Sequence, residues 1–208
     1  MFEKLQQFII DTEPTVLSSA TPDYEPHDYK LIVLEDVLTD EEIAFCKFSF
    51  NDPNIVKEEV YAHPPETHKI HRQRADFFDI HEISLELQKT IDPIKEKFNL
   101  SGLGIPNTSM WKDSEGFNIY PHCDHELLNV TMQIYLDDDC DKECGTTFLK
   151  PVSGSEHGEE LLTTYYGKGN GYILLNTHKE MHGMMKTVPV DNTRTSLYIV
   201  FGKNEVIN

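Results

Sequence analysis

Two stretches of this chain alternate in a way that few folds tolerate. In 130–136 (VTMQIYL), Val130, Met132, Ile134 and Leu136 fall on one face of an extended strand, and Thr131, Gln133 and Tyr135 fall on the other. In 194–201 (RTSLYIVF), Thr195, Leu197, Ile199 and Phe201 oppose Arg194, Ser196, Tyr198 and Val200. Each strand thus offers an apolar face to a packing layer and a polar face to the inside of a sandwich. Polar groups are costly to bury without partners. An interior lined by Arg194, Ser196, Tyr135 and Thr131 implies a polar ligand, and the arginine makes that ligand an anion.

The rest of the chain fits around such a sandwich. From Ile105 onward, short strand-like runs are separated by Gly, Asp and Asn turns: 106–111, 117–122, 129–136, 145–150, 161–166, 171–176, 184–190 and 194–201. The first half has a different texture. Phe2, Leu5, Phe8 and Ile9 have helical spacing, 12–27 is a Pro-containing loop, and YKLIVLEDV predicts a strand. Thr39 with Glu42 predicts a capping box that opens an amphipathic helix, and 82–98 has helical periodicity interrupted by Pro93. Residues 61–73 hold two prolines and three histidines and predict a mobile surface loop, with a role as a lid. Helices first and strands after, without βαβ alternation, predict a mainly β (α+β) jelly roll with N-terminal helices packed on its major sheet. At 208 residues this is a single domain, with 1–104 as support and 105–202 as the core.

The candidate chemistry lies in GFNIYPHCDHELLNVTMQIYL, residues 116–136. His122 and Asp124 are two residues apart, so on an extended backbone they point to the same side. A lone H-x-D is most often an ordinary strand end and gains meaning only with partners. His182, in EMHGMM, is the best third ligand. Two histidines and a carboxylate with open positions form the set used by non-haem Fe(II) sites. Arg194 follows in TRTSLYIVF and is the residue type that pairs bidentately with a carboxylate. Tyr135 and Ser196 can add hydroxyls to the same anion. Trp111, Arg72 and Arg74 are candidates for substrate contact.

Charge and cysteines narrow the partners. The formal net charge of −18 repels a polyphosphate backbone, so nucleic acid is a poor partner and a cationic or neutral substrate fits better. Cys46, Cys123, Cys140 and Cys144 are irregularly spaced, which argues against a disulfide framework and for a reducing cytoplasm. No apolar run approaches a membrane span, and the N-terminus has no signal-peptide pattern. CDKEC is not a zinc pair, and DDDCDKE fits a solvated hairpin better than a calcium loop.

The runs GFNIYPHCDH, MQIYLDDD, CGTTFLKP, GYILLN, MHG and NTRTSLY resemble the Fe(II)- and 2-oxoglutarate-dependent oxygenases, within them the prolyl 4-hydroxylase branch. The resemblance spans roughly 105–202, and YKLIVLEDVLTDEEI resembles that family's support strand and helix. It implies a double-stranded β-helix in which His122, Asp124 and His182 ligate Fe(II). Arg194 would bind the distal carboxylate of 2-oxoglutarate, with Tyr135 and Ser196 assisting. The implied reaction consumes O2, with ascorbate as an accessory reductant. It decarboxylates 2-oxoglutarate to succinate and hydroxylates an unactivated C–H, foremost of a prolyl residue in a peptide. Three alternatives stay open: a hydroxylase of a free amino acid or small molecule, a cupin-like metal protein without 2-oxoglutarate turnover, and a non-catalytic interaction module. A nucleic-acid demethylase is disfavoured, because Val200 stands where those enzymes carry a second arginine.

Overall fold

The computed structural model describes residues 6–10, 29–61, 70–77, 107–124, 128–150, 158–175 and 180–202, with isolated positions at 89, 92, 96 and 152. In chain order these form β1 (Gln6–Ile10), β2 (Tyr29–Leu34), α1 (Asp40–Asn51), β3 (Glu58–Tyr61), β4 (Ile70–Asp76) and β5 (Asn107–Ser114). They continue with β6 (Leu128–Tyr135), β7 (Thr146–Lys150), β8 (Glu159–Thr164), β9 (Gly171–Leu175), β10 (Met181–Gly183) and β11 (Thr193–Gly202). A large sheet runs β1-β2-β9-β6-β11-β5-β4-β3, and a small one runs β10-β7-β8. Every pairing is antiparallel. This is the jelly-roll sandwich that the alternating strands predict.

The alternation sorts the large sheet's two faces as the residues dictate. Met132, Ile134, Leu136, Leu197 and Ile199 join Met110 and Ile173 in one apolar cluster, which also contains Ile43, Cys46 and Phe50 of α1. Fully burying each such side chain contributes roughly 1.5–3 kcal/mol, so this face fixes the support helix. On the other face, Leu31, Tyr172 and Leu174 meet Phe148 of the small sheet. The helix begins where the sequence says. The Thr39 hydroxyl accepts from the Glu42 N–H at 3.2 Å, and the Glu42 carboxylate accepts from the Thr39 N–H at 2.8 Å.

Several expectations need correction. Residues 6–10 form a strand rather than part of the helix expected over 2–10; nine residues make a marginal helix, and the open edge of β2 offers a full ladder from Gln6↔Val33 to Ile10↔Tyr29. The N-terminal half therefore supplies four strands of the large sheet as well as α1. Residues 70–73 belong to β4 rather than to a loop, and His71 and Arg72 are buried. Residues 62–69, with His63, His68 and the expected lid, lie outside the described residues. The 82–98 helix also lies outside them, except for Lys89, Asp92 and Glu96, which are helical.

The expected strands 117–122 and 184–190 reduce to a loose pairing. Met184 N–H donates to the Ile119 carbonyl and Val188 N–H to the Phe117 carbonyl, while the short strand β10 lies just before them. Pro121 has no N–H to offer a ladder. Gly183 lies so close that a Cβ there would meet the Ile119 oxygen and the Pro121 nitrogen at 2.9 Å. The acidic 137–143 turn is not wholly solvated either: Asp137 is buried and accepts the Tyr166 hydroxyl.

Thr39→Ala removes the reciprocal cap and is expected to lower stability by about 1 kcal/mol. Equilibrium urea unfolding measures this, with divalent-metal affinity unchanged.

Candidate metal centre

His122 and His182 are joined by the backbone before any metal is considered. Each donates its N–H to the other's carbonyl at 2.9 Å, a reciprocal antiparallel bridge between two distant segments. Their rings consequently lie side by side, with centroids 4.7 Å apart. The glycine after His182 permits this approach, because a side chain at Gly183 would strike the opposing backbone. Asp124 completes the corner, with its Oδ1 3.6 Å from His122 Nε2 and 3.7 Å from His182 Nε2. One ligand atom from each of the three lies within 4.8 Å of the others, the only such group of three among the described residues.

The second nitrogen of each ring decides which end faces the metal. His122 Nδ1 lies 2.9 Å from the Tyr120 carbonyl, and His182 Nδ1 lies 3.0 Å from the Glu180 carbonyl. A carbonyl only accepts, so each Nδ1 carries the proton and donates. That leaves both Nε2 lone pairs aimed at the Asp124 corner. The carbonyl two residues back does the same work in both segments. Protonation separates the pair. The neighbouring Asp124 carboxylate raises the pKa of His122, whereas burial lowers that of His182. His182 is thus held neutral, as a ligand must be. As pH falls, His122 is the first to bind a proton in competition with a metal.

The metal corner opens into the sandwich. Its cavity is lined by His122, Asp124 and His182 together with Gln133, Thr146, Tyr172, Arg194, Tyr198, Trp111 and Arg72. Arg194 is 1% exposed and is the largest of the fully buried side chains. Its Nη1 donates to Asp113 Oδ2 at 2.7 Å, and its Nη2 reaches Gln133 Oε1 at 3.4 Å and Thr146 Oγ1 at 3.5 Å. Its Nε is buried with no hydrogen-bond partner. Asp113, itself fully buried, is also gripped by Nε and Nη2 of Arg72. Two guanidinium groups share one carboxylate, so these three side chains carry one uncompensated positive charge. Buried charge is costly until paired, and the alternating strand's demand for an anion survives this internal carboxylate.

The remaining sequence candidates fall into two groups. Trp111 lines the cavity, stacked on Tyr198 at 4.1 Å, with the Arg72 guanidinium 3.9 Å above its ring. Tyr135 and Ser196 lie against the groups that line the cavity, with the Tyr135 ring 5.1 Å from the Arg194 guanidinium. The Tyr135 hydroxyl donates to Thr146 Oγ1 at 3.0 Å, and Ser196 Oγ accepts from Gln133 Nε2 at 2.9 Å. They orient the two groups that flank Arg194 Nη2. Arg74 is absent from the cavity lining and pairs with Asp76 at 2.9 Å. Residue-type reasoning overlooked Asp113, Gln133 and Thr146. Gln133 shares the polar face of Tyr135 and was legible there. Asp113 needed the strand register, since nothing local marks KDSEG as interior.

These donors fit a divalent metal and a dicarboxylate. Two imidazole Nε2 atoms and one carboxylate on one side leave room for further ligands, and an under-bonded guanidinium lies in the same cavity. His182→Ala is expected to abolish stoichiometric binding of Mn(II) or Fe(II) in a calorimetric titration. Arg194→Ala should leave metal affinity intact while weakening 2-oxoglutarate by roughly 10–100-fold, the range for a buried charged hydrogen bond. Equal loss of both ligands would contradict that division of labour.

No family model matches the chain, and no curated protein does. Solved structures do. HygX from Streptomyces hygroscopicus, with nickel and 2-oxoglutarate bound, superposes with a TM-score of 0.58 at 10% identity, over 84% of this chain and 83% of that one. A Pseudomonas putida prolyl-4-hydroxylase gives 0.58 at 15% identity, over 85% and 94%. The non-haem α-ketoglutarate-dependent epimerase SnoN of nogalamycin biosynthesis gives 0.58 at 13%, over 83% and 76%. Among the described residues no helix is long and apolar enough to cross a membrane. The chain has the jelly-roll fold of the 2-oxoglutarate–Fe(II) oxygenases.

Proposed function

We propose that this chain is an Fe(II)- and 2-oxoglutarate-dependent oxygenase that hydroxylates an unactivated C–H bond, foremost that of a prolyl residue in a peptide. The observation that carries this reading is the His122–Asp124–His182 corner opening into a cavity that also holds Arg194. A cupin-like binding protein would use the corner but would have no use for a buried, under-bonded guanidinium beside it.

Within this reading His122, Asp124 and His182 would hold the metal. Arg194 receives the far carboxylate of 2-oxoglutarate, and Tyr135 and Ser196 act through Thr146 and Gln133, which flank it. When bound, the metal and keto acid supply the oxidising step, in which O2 is consumed and 2-oxoglutarate leaves as succinate and CO2. The protein contributes orientation and a dry wall. Tyr172, Tyr198 and Trp111 close the cavity beside the metal corner, and both histidines are locked by carbonyls, so they neither rotate nor take the wrong tautomer.

The likeness to the Pseudomonas prolyl-4-hydroxylase, covering 94% of that enzyme, favours a prolyl target. A second reading, hydroxylation of a cationic small molecule, draws on two observations. The net charge is −18, and HygX has been solved with hygromycin B bound.

The test is succinate release from 2-oxoglutarate under Fe(II) and ascorbate, across Pro-containing peptides and basic small molecules. Stimulation by a Pro-peptide, with a gain of one oxygen in its mass, is the expected result. Stimulation by small amines alone would select the second reading, and no turnover with any partner would count against both.

A further inference from the structure

The three charged residues of the cavity wall form a single row. Arg72 on β4, Asp113 on β5 and Arg194 on β11 are direct register partners across three adjacent strands, Arg72↔Asp113 and Asp113↔Arg194. Side chains directly opposite on one sheet face are the ones that interact, and here they do so in sequence. Arg72 holds Asp113 through two nitrogens, and Asp113 holds Arg194 through one. Arg72 cannot easily turn away. Its guanidinium sits between two rings, 3.9 Å from Trp111 and 4.1 Å from Phe117, and the residue is 7% exposed.

The donors of Arg194 are unequally committed. Nη1 is spent on Asp113 at 2.7 Å, Nη2 has only long contacts at 3.4 and 3.5 Å, and Nε has none. Nη2, beside Gln133 and Thr146 of the cavity lining, is therefore the least committed donor, and Nε on the same edge is unpaired, so the two can serve one carboxylate together. We infer that Asp113, clamped by Arg72, is a positioning residue that turns the Nε/Nη2 edge of Arg194 toward the cosubstrate and so sets the chain length of the dicarboxylate accepted. This rests on the oxygenase reading of the same cavity. A keto acid tethered at the His122–Asp124–His182 corner must reach Arg194 with its other end, so the number of methylenes it can carry depends on where the guanidinium is fixed. Asp113 does not line the cavity and acts through Arg194.

The test compares 2-oxoglutarate with 2-oxoadipate, one methylene longer and of the same charge, by calorimetric titration of Mn(II)-loaded protein. The variant is Arg72→Met combined with Asp113→Asn, which removes the clamp while keeping the summed charge of the row unchanged. The wild type is expected to prefer 2-oxoglutarate. The double variant should keep its Mn(II) affinity, lose roughly tenfold in 2-oxoglutarate affinity, as is common for groups that orient a ligand-binding side chain, and lose most of its length preference. If that variant does not fold, Asp113→Asn alone carries the test, because the preference between two ligands of equal charge is insensitive to added positive potential. An unchanged preference in a folded variant would overturn the inference and leave the oxygenase reading standing. A wild type that binds Mn(II) but neither keto acid would overturn the oxygenase reading itself.

Discussion

The structure depends on one pair of backbone hydrogen bonds. The reciprocal bridge between His122 and His182 ties the mouth of the large sheet to the edge strand of the small one. Without it His122 would sit on a segment apart from the strand β10 that carries His182, and Asp124 would face a single histidine. The bridge is possible because Gly183 lets the segments touch and because each ring is turned by the carbonyl two residues before it. Backbone geometry thus pre-organises a ligand set, so little ordering is left for the metal to impose.

The second constraint is the polar interior. A sandwich of this size would ordinarily fill its centre with aliphatic side chains, and this one does so on the helix side of the large sheet and, between the sheets, around Leu31, Leu174 and Phe148. The opposite face carries Gln133, Tyr198, Arg194, Asp113 and Arg72, almost all of them buried and hydrogen-bonded to one another. Such a network gives up hydrophobic stabilisation. What it gains is a fixed guanidinium in a low-dielectric pocket, where a carboxylate is bound more strongly than at an exposed surface.

The legible parts of the fold were those set by neighbours in sequence. The capping box needs only Thr39 and Glu42, and strand faces follow from period-two alternation, so α1, β6 and β11 could be read directly. His122 and Asp124 were legible as a pair because residues two apart on an extended backbone share a side, and His182 through the resemblance of the runs around all three. What escaped was decided by contacts across the sheet. FEKLQQFII has helical spacing, yet the free edge of β2 takes 6–10 as a strand. Residues 70–73 read as the end of a Pro- and His-containing loop, and only the register with β5 shows that Asp113 pairs with Arg72. Tyr135 and Ser196 face inward as expected: the Tyr135 ring lies 5.1 Å from the Arg194 guanidinium, and both hydroxyls bond to the groups that flank Nη2.

In the proposed function, two remote segments hold one metal beside a guanidinium arranged to receive a dicarboxylic keto acid. An anaerobic titration of the Fe(II)-loaded chain with 2-oxoglutarate, followed by visible absorption, addresses it most directly. Chelation of Fe(II) by a keto acid produces a metal-to-ligand charge-transfer band that neither partner shows alone. The account predicts that this band saturates at stoichiometric 2-oxoglutarate and is absent from the His182→Ala variant. A chain that binds Fe(II) yet never develops the band would contradict it.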